Sequence, residues 1–276
     1  MLKKIYLEIT NICNLSCSFC PGTRREGQFM TAEEFENICS ALMGHTKFLY
    51  FHLMGEPLLH PDLEKFLAIA GGKGFRVIIT TNGTLLRQRC AELLSSPALH
   101  RLNISLQSFE GSGNSSSLEE YIDSVSDFAA AAADKGIICS LRLWNEGGEN
   151  SRNKQILSLL EKRFPAPWED CTKNLRLAPR VFLEHGDKFD WPNLAAPEAQ
   201  VSFCYGLRDH IGILCDGTVV PCCLDSEGSI PLGNIHRDAL EDILSSPRAK
   251  AIYEGFSCRK ATEELCRRCG YASRFK

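Results

Sequence analysis

From Leu2 to about Glu184 the chain alternates short apolar runs with amphipathic stretches, and this repeat constrains the fold more than any other feature. Six runs have strand character: residues 4–10, 47–53, 75–81, 101–107, 137–143 and 180–184. Strands separated by helices pair in parallel, because each helix carries the chain back to the same end of the sheet. Helix starts support the count. Thr31-Ala32-Glu33-Glu34 and Ser117-Leu118-Glu119-Glu120 are capping boxes, and Pro61 suits the start of a helix over 63–70. The expected class is α/β with a parallel sheet.

Read at period two, the later strands have one apolar and one polar face. Leu102, Ile104 and Leu106 oppose Asn103, Ser105 and Gln107. Leu141 and Leu143 oppose Ser140, Arg142 and Trp144, and Val181 and Leu183 oppose Arg180, Phe182 and Glu184. The apolar face packs on helices. A polar inner face on several strands suits a barrel whose interior holds a ligand rather than a plug of branched side chains.

From about Phe189 the texture changes to Pro, Asn, Gly and Cys. Residues 211–215 and 218–221, joined by Asp216-Gly217, read as a β-hairpin. Residues 175–200, with Pro179, Pro192 and Pro197, include the bridge between the two parts. Two units follow, 1–189 and 190–276. No internal repeat is visible, residues 111–117 read as a mobile loop, and the run of alanines at 129–133 belongs in a helix.

Apolar residues make up 44% of the chain, enough for buried cores, and the formal net charge is −3. No positive field is present to hold nucleic acid or an anionic membrane. No apolar run approaches the ~20 residues that cross a bilayer, and Glu8 interrupts any signal-peptide core. The expected location is cytoplasmic. In a reducing compartment the 14 cysteines are metal ligands or buried core residues rather than disulfides.

Cys13, Cys17 and Cys20 place three thiols within eight residues just after the first strand, at the end of a parallel barrel where active sites form. Three thiolates hold three corners of a [4Fe-4S] cube and leave one iron open. Zinc needs a fourth ligand and usually meets CxxC pairs, and bacterial ferredoxin runs use CxxCxxC; neither matches this spacing.

CxxxCxxC with an aromatic, Phe19, before the last Cys resembles the signature of the radical S-adenosylmethionine superfamily, and the similarity extends over nearly the whole chain. Met54-Gly55-Glu56-Pro57 resembles the family's GGEP motif, which holds the methionine amino group, with Met in place of the first Gly. The resemblance implies further cofactor contacts from Asn82, within Thr80-Thr81-Asn82-Gly83, and from Ser105 and Arg142 at the ends of strands four and five.

Cys204, Gly217 to Cys222, Leu232 to Ile235 and Cys266-Arg267-Arg268-Cys269 resemble a SPASM or shorter Twitch domain. No cysteine follows Cys269, so one auxiliary [4Fe-4S] cluster is expected. Its implied ligands are Cys204, Cys222, Cys266 and Cys269, with Cys223 as the alternative to Cys222. Four thiolates also suit zinc, and that alternative stays open here. Cys39, Cys90 and Cys139 read as buried apolar residues, and Cys171, Cys215 and Cys258 have no assigned role. The seven histidines show no ligand spacing.

The resemblance therefore implies a partial (β/α)6 TIM-like barrel followed by a cluster domain, in the single-auxiliary-cluster plan of the 2-deoxy-scyllo-inosamine dehydrogenases. The implied cofactors are two [4Fe-4S] clusters and S-adenosylmethionine. The implied activity is reductive cleavage to a 5′-deoxyadenosyl radical, hydrogen abstraction from substrate, and oxidation of the substrate radical through the auxiliary cluster. The substrate would be a small molecule or a peptide and the electron donor a flavodoxin or ferredoxin. The start at the first strand lowers the expectation of a peptide-modifying maturase. Arg180 and Glu184, on the polar face of the sixth strand, are the expected substrate contacts, with Glu184 as base. A non-catalytic iron-sulfur electron carrier is the rival class, and the three-cysteine site argues against it.

Overall fold

The protein's structure, a computed structural model, describes residues 1–110 and 117–275. Six parallel strands form its centre: β1 (Lys4–Leu7), β2 (Phe48–Phe51), β3 (Arg76–Thr81), β4 (Leu99–Ser105), β5 (Ile138–Glu146) and β8 (Val181–Asp187). They neighbour one another in chain order, as a partial (β/α)6 barrel requires. Each of the first five is followed by a helix: α1 (Ala32–Leu42), α2 (Leu63–Gly72), α3 (Leu86–Ser95), α4 (Leu118–Asp134) and α5 (Asn153–Arg163). Both expected capping boxes form. Thr31 Oγ1 accepts from the Glu34 N–H at 3.2 Å, and Ser117 Oγ accepts from the Glu120 N–H at 3.0 Å.

The outward strand faces pack as their period-two pattern requires. Leu102, Ile104, Leu141, Leu183 and Val181 are fully buried against helix faces such as Tyr121, Ile122, Val125, Phe128 and Ala132 of α4. Each such aliphatic side chain contributes roughly 1.5–3 kcal/mol by leaving water. Cys39 and Cys139 belong to this core; Cys90 is half-buried at its edge.

An antiparallel pair absent from the sequence reading, β6 (Glu169–Cys171) and β7 (Asn174–Ala178), extends the sheet beyond β8. β6 is short and mostly polar and exposed, and Asn174-Leu175-Arg176-Leu177, which does alternate, runs into the proline-containing stretch read as a bridge. At the other edge, β9 (His210–Ile213) pairs in parallel with β1, and β10 (Thr218–Val220) and β11 (Gly233–Asn234) follow antiparallel. The strands of the cysteine-rich part thus continue the barrel sheet. Three short helices, α6 (Leu240–Ser245), α7 (Pro247–Ser257) and α8 (Glu264–Arg267), complete it. Residues 111–116 of the loop expected to be mobile lie outside the described residues. Among the described residues no helix is long and apolar enough to cross a membrane.

Candidate functional site

The three-cysteine loop leaves β1 and is held from several sides. Asn11 donates to the Glu26 carbonyl at 2.8 Å and accepts from the Gln28 N–H at 2.8 Å, closing the loop at its base. At its tip the Cys20 N–H donates to the Cys17 carbonyl at 3.0 Å. Cys13 and Cys20 are exposed and Cys17 is half-buried. Burial, then the neighbouring Cys20 and Cys13, pushes the Cys17 thiol up to about 12. The thiols are therefore neutral in the free chain, and a bound cation reverses this by favouring the thiolates.

Asn82, at the end of β3, reaches into the loop. Its Nδ2 donates to Asn14 Oδ1 at 2.9 Å, while its Oδ1 accepts from the N–H and hydroxyl of Thr84. Thr84 in turn accepts from Asn14 Nδ2 at 2.9 Å. The Asn82 carbonyl takes the Tyr121 hydroxyl at 2.8 Å and the Ser108 hydroxyl at 3.2 Å, which fixes the strand end from below. Asn14 was not singled out in the sequence; its position between Cys13 and Cys17 was the available signal.

Gly55 has φ of 75°, and a Cβ there would lie 2.4 Å from the Thr10 carbonyl, so only glycine lets the two loops touch. The Glu56 N–H then donates to the Ile12 carbonyl at 2.8 Å. The Glu56 carboxylate is fully enclosed. It accepts from Thr81 Oγ1 at 2.7 Å, the Asn82 N–H at 2.7 Å and the Leu58 N–H at 3.0 Å. Burial outweighs these donors and pushes the carboxyl up to about 7. Glu56 is thus a clasp between the ends of β2 and β3, with Pro57 buried beside it. Ser105 ends β4 half-buried and accepts through its carbonyl from Ser108 at 2.6 Å, and Phe19 is half-buried in the cysteine loop.

Lower in the barrel the inward faces form a second constellation. Arg101 and Arg142 both bind the Glu184 carboxylate, at 3.2 and 3.0 Å, and Ser140 donates to it as well. Arg142 also stacks over Trp144, its carbon 4.6 Å from the ring centroid. Lys4 lies over the rings of Tyr6 and Tyr50, and His52 and His210 stand 5.8 and 5.4 Å from Tyr6. Burial, followed by repulsion from Arg142 and Lys4, pushes His52 down to about 4; burial, with Lys4, does the same to His210. From the C-terminal part, the Cys223 thiol pairs with the Tyr6 hydroxyl, and Tyr271 adds its field to Tyr6 and Arg142.

Arg180 departs from expectation. It precedes β8, at the N-terminal end of the parallel strands, four residues or ~13 Å of extended chain below Glu184. It is exposed and lines a cleft of about 410 Å³ with Arg76, His100 and Lys135 at the opposite end of the barrel. Arg180 has φ of 62° and lies before β8 begins, so the alternation of that strand does not carry to it. Arg180 is therefore no partner of Glu184, whose partners are Arg101 and Arg142.

The third group is Cys204, Cys222, Cys266 and Cys269. Burial and then the nearby Cys223, Cys204 and Cys266 push the Cys222 thiol well up, and Cys204 and Cys269 act likewise on Cys266. Cys222 thus neighbours Cys204 and Cys266, whereas Cys223 lies against Lys4 and Tyr6 and also feels Cys204. Among the described residues no three His, Cys, Asp or Glu side chains converge as the donors of one ion do. Ligands of a cube bind separate irons and stand further apart. Three clustered thiols beside a glycine cradle, and four in the second group, fit [4Fe-4S] clusters by their donor chemistry. Cys215 is buried under the first loop, its thiol on the Ile9 carbonyl at 3.5 Å; Cys258 is exposed and Cys171 half-buried.

Comparison with known proteins agrees with this arrangement. The model of the radical SAM superfamily matches residues 7–160, and that of an iron-sulfur cluster-binding domain, SPASM, matches residues 204–270. A probable GTP 3′,8-cyclase of Pyrobaculum aerophilum is 32% identical over 108 residues, 38% of this chain and 34% of the relative. The chain thus spans about a third of that relative's length. Among solved structures, BtrN in complex with AdoMet and 2-DOIA superposes with a TM-score of 0.65 at 17% identity, over 98% of this chain and 93% of BtrN. Streptococcus suis SuiB bound to precursor peptide SuiA gives 0.63 at 15% identity, over 99% and 70%. These likenesses show the fold. With the superfamily model covering more than half of the sequence, and the three-cysteine loop at the end of β1 within it, the chain belongs to the radical SAM superfamily and carries a SPASM cluster-binding domain.

Proposed function

We propose that this chain is a radical S-adenosylmethionine oxidoreductase acting on a small molecule held in the barrel chamber between its two cysteine sets. The observation that carries this reading is a convergence of inward side chains: Arg142 on Glu184 and Lys4 over Tyr6, with Cys223 and Tyr271 of the cluster domain beside them. When bound, S-adenosylmethionine on the first cluster supplies a 5′-deoxyadenosyl radical for hydrogen abstraction, and the second cluster supplies an electron acceptor.

The chain's own residues have separable tasks. Cys13, Cys17 and Cys20 hold the first cluster, and Phe19 shields it. Gly55, Glu56 and Pro57 shape the loop that meets the methionine amino group, while Asn82 and Ser105 supply polar contacts for the nucleoside. Cys204, Cys222, Cys266 and Cys269 hold the second cluster. Arg142, sharing Glu184 with Arg101, borders the cofactor and the chamber. Glu184 is the chamber's carboxylate and takes the proton released when the substrate is oxidised. The electron donor is a flavodoxin or ferredoxin.

The test alters Cys266 and Cys269 to Ala and follows hydrogen abstraction and product separately in the reconstituted protein. S-adenosylmethionine cleavage should persist, read as 5′-deoxyadenosine, and the substrate radical should still form, while oxidised product disappears. Undiminished oxidised product from a folded variant lacking the second cluster would contradict an electron-accepting role.

A further inference from the structure

The chamber carries more positive charge than its own carboxylate balances. Arg101 and Arg142 share one carboxylate, Glu184, and Lys4 makes no ion pair with it. Lys4 has no carboxylate within ion-pair distance among the described residues; its ammonium lies 5.1 and 5.3 Å from the ring centroids of Tyr6 and Tyr50. The carboxylate whose field reaches Lys4, Asp209, is paired with Lys3. His52 and His210, kept neutral by burial, add no charge.

Unsatisfied polar atoms mark the same volume. Among the described residues, Arg101 Nε, beside Glu184, and His210 Nδ1, beside Tyr6, are buried without a hydrogen-bond partner. Buried polar atoms are normally paired, and a buried cation left without a counter-charge is costly, so such a set points to a ligand. The excess cations further select its sign: a protonated amine would be repelled, while an oxyanion would complete both Lys4 and Arg101 Nε.

We propose that the chamber selects a small molecule bearing a carboxylate or phosphate group, with Lys4 as the residue that receives this group and Arg101 as the second donor. This rests on the chamber being the substrate site, but its test does not depend on turnover.

Cys223 provides an internal reporter, because its thiol faces Lys4 and Tyr6. The anaerobically reconstituted protein is treated with iodoacetate or with neutral iodoacetamide, and labelling rates at Cys223 and at exposed Cys258 are read by mass spectrometry. Normalised to Cys258, iodoacetate should be favoured at Cys223 by roughly 10-fold or more, the scale of charge steering into a focused cleft. In Lys4→Met this preference should collapse, and in Lys4→Arg it should persist. Lys4 also affects the thiol itself, but that influence is common to both reagents and cancels in the ratio. Inorganic phosphate and glutarate, added separately, should slow Cys223 labelling, and the stronger competitor assigns the oxyanion.

No preference for iodoacetate, a preference unchanged in Lys4→Met, or failure of both competitors would overturn the proposal. So would a Cys223 that neither reagent labels, since that chamber admits no small molecule. Failure to form 5′-deoxyadenosine under reducing conditions would instead contradict the enzymatic reading, so the two failures are distinguishable.

Discussion

The carboxylate of Glu8 grips Arg25 through both guanidinium nitrogens, at 2.8 and 2.7 Å, with Glu8 almost wholly buried at the end of β1. Glu8 also accepts from the N–H groups of Met54 at 3.3 Å and Cys215 at 3.2 Å, and Arg25 donates through Nε to the Ser226 carbonyl at 2.9 Å. One ion pair thus ties together the strand before Cys13, the segment after Cys20, the loop leading to Glu56 and the loop after Cys222. Removing one partner leaves an uncompensated buried charge, which typically costs about 3–5 kcal/mol. Arg25→Ala should lower Tm by on the order of 10 °C and reduce the iron retained at the first cluster. Calorimetry with iron analysis checks this; a change near zero in both would mean that the pair is dispensable.

Gly55→Ala meets two obstacles at once. Its φ of 75° is unfavourable for a side chain, and the added Cβ would press on the Thr10 carbonyl and on the Asn11 backbone. Backbone cannot swing aside as a side-chain tip does, so the loops must separate, at a cost of at least about 2 kcal/mol. Denaturant unfolding should show that loss, together with weaker S-adenosylmethionine binding. A variant as stable as the parent would show that the close approach is not needed.

How far the sequence speaks depends on which residues carry a period. Val181 and Leu183 alternate with Phe182 and Glu184, and the strand and its polar face were legible from that alone. The same test applied to Lys4-Ile5-Tyr6-Leu7-Glu8 would have exposed Lys4 and Tyr6 as chamber residues, and Tyr50 and His52 on the next strand. Nothing local marks the partner of Glu8, because Arg25 lies 17 residues away across a folded loop. Period two also ends where the strand does: Arg180, with φ of 62°, precedes β8 and does not share the face of Glu184. The cysteine spacing was informative because one cluster demands several thiols within a short reach, whereas spacing does not separate the adjacent Cys222 and Cys223.

Two half-buried histidines make the chain sensitive to acid. His52 and His210 are pushed down to about 4 in the folded state, whereas an unfolded histidine titrates near 6.5. Between these values the unfolded chain binds the extra protons, so the stability from burying neutral rings is present above about pH 6.5 and is lost as pH falls through about 4. Each contributes up to about 3 kcal/mol. Urea unfolding across this range should show stability falling with acid, and His52→Gln with His210→Gln should flatten the slope. An unchanged slope in the double variant would assign the acid sensitivity to other groups.

The central claim is that Cys13, Cys17 and Cys20 hold a cluster that cleaves S-adenosylmethionine. The most direct measurement is 5′-deoxyadenosine formed by anaerobically reconstituted protein with dithionite, alongside its iron content. The intact chain should hold roughly eight irons, as two [4Fe-4S] clusters, and form 5′-deoxyadenosine. The variant with all three cysteines changed to Ala should lose about four irons, keep the second cluster and form none. Full 5′-deoxyadenosine formation by that variant, or none by the intact protein with both clusters in place, would contradict the account.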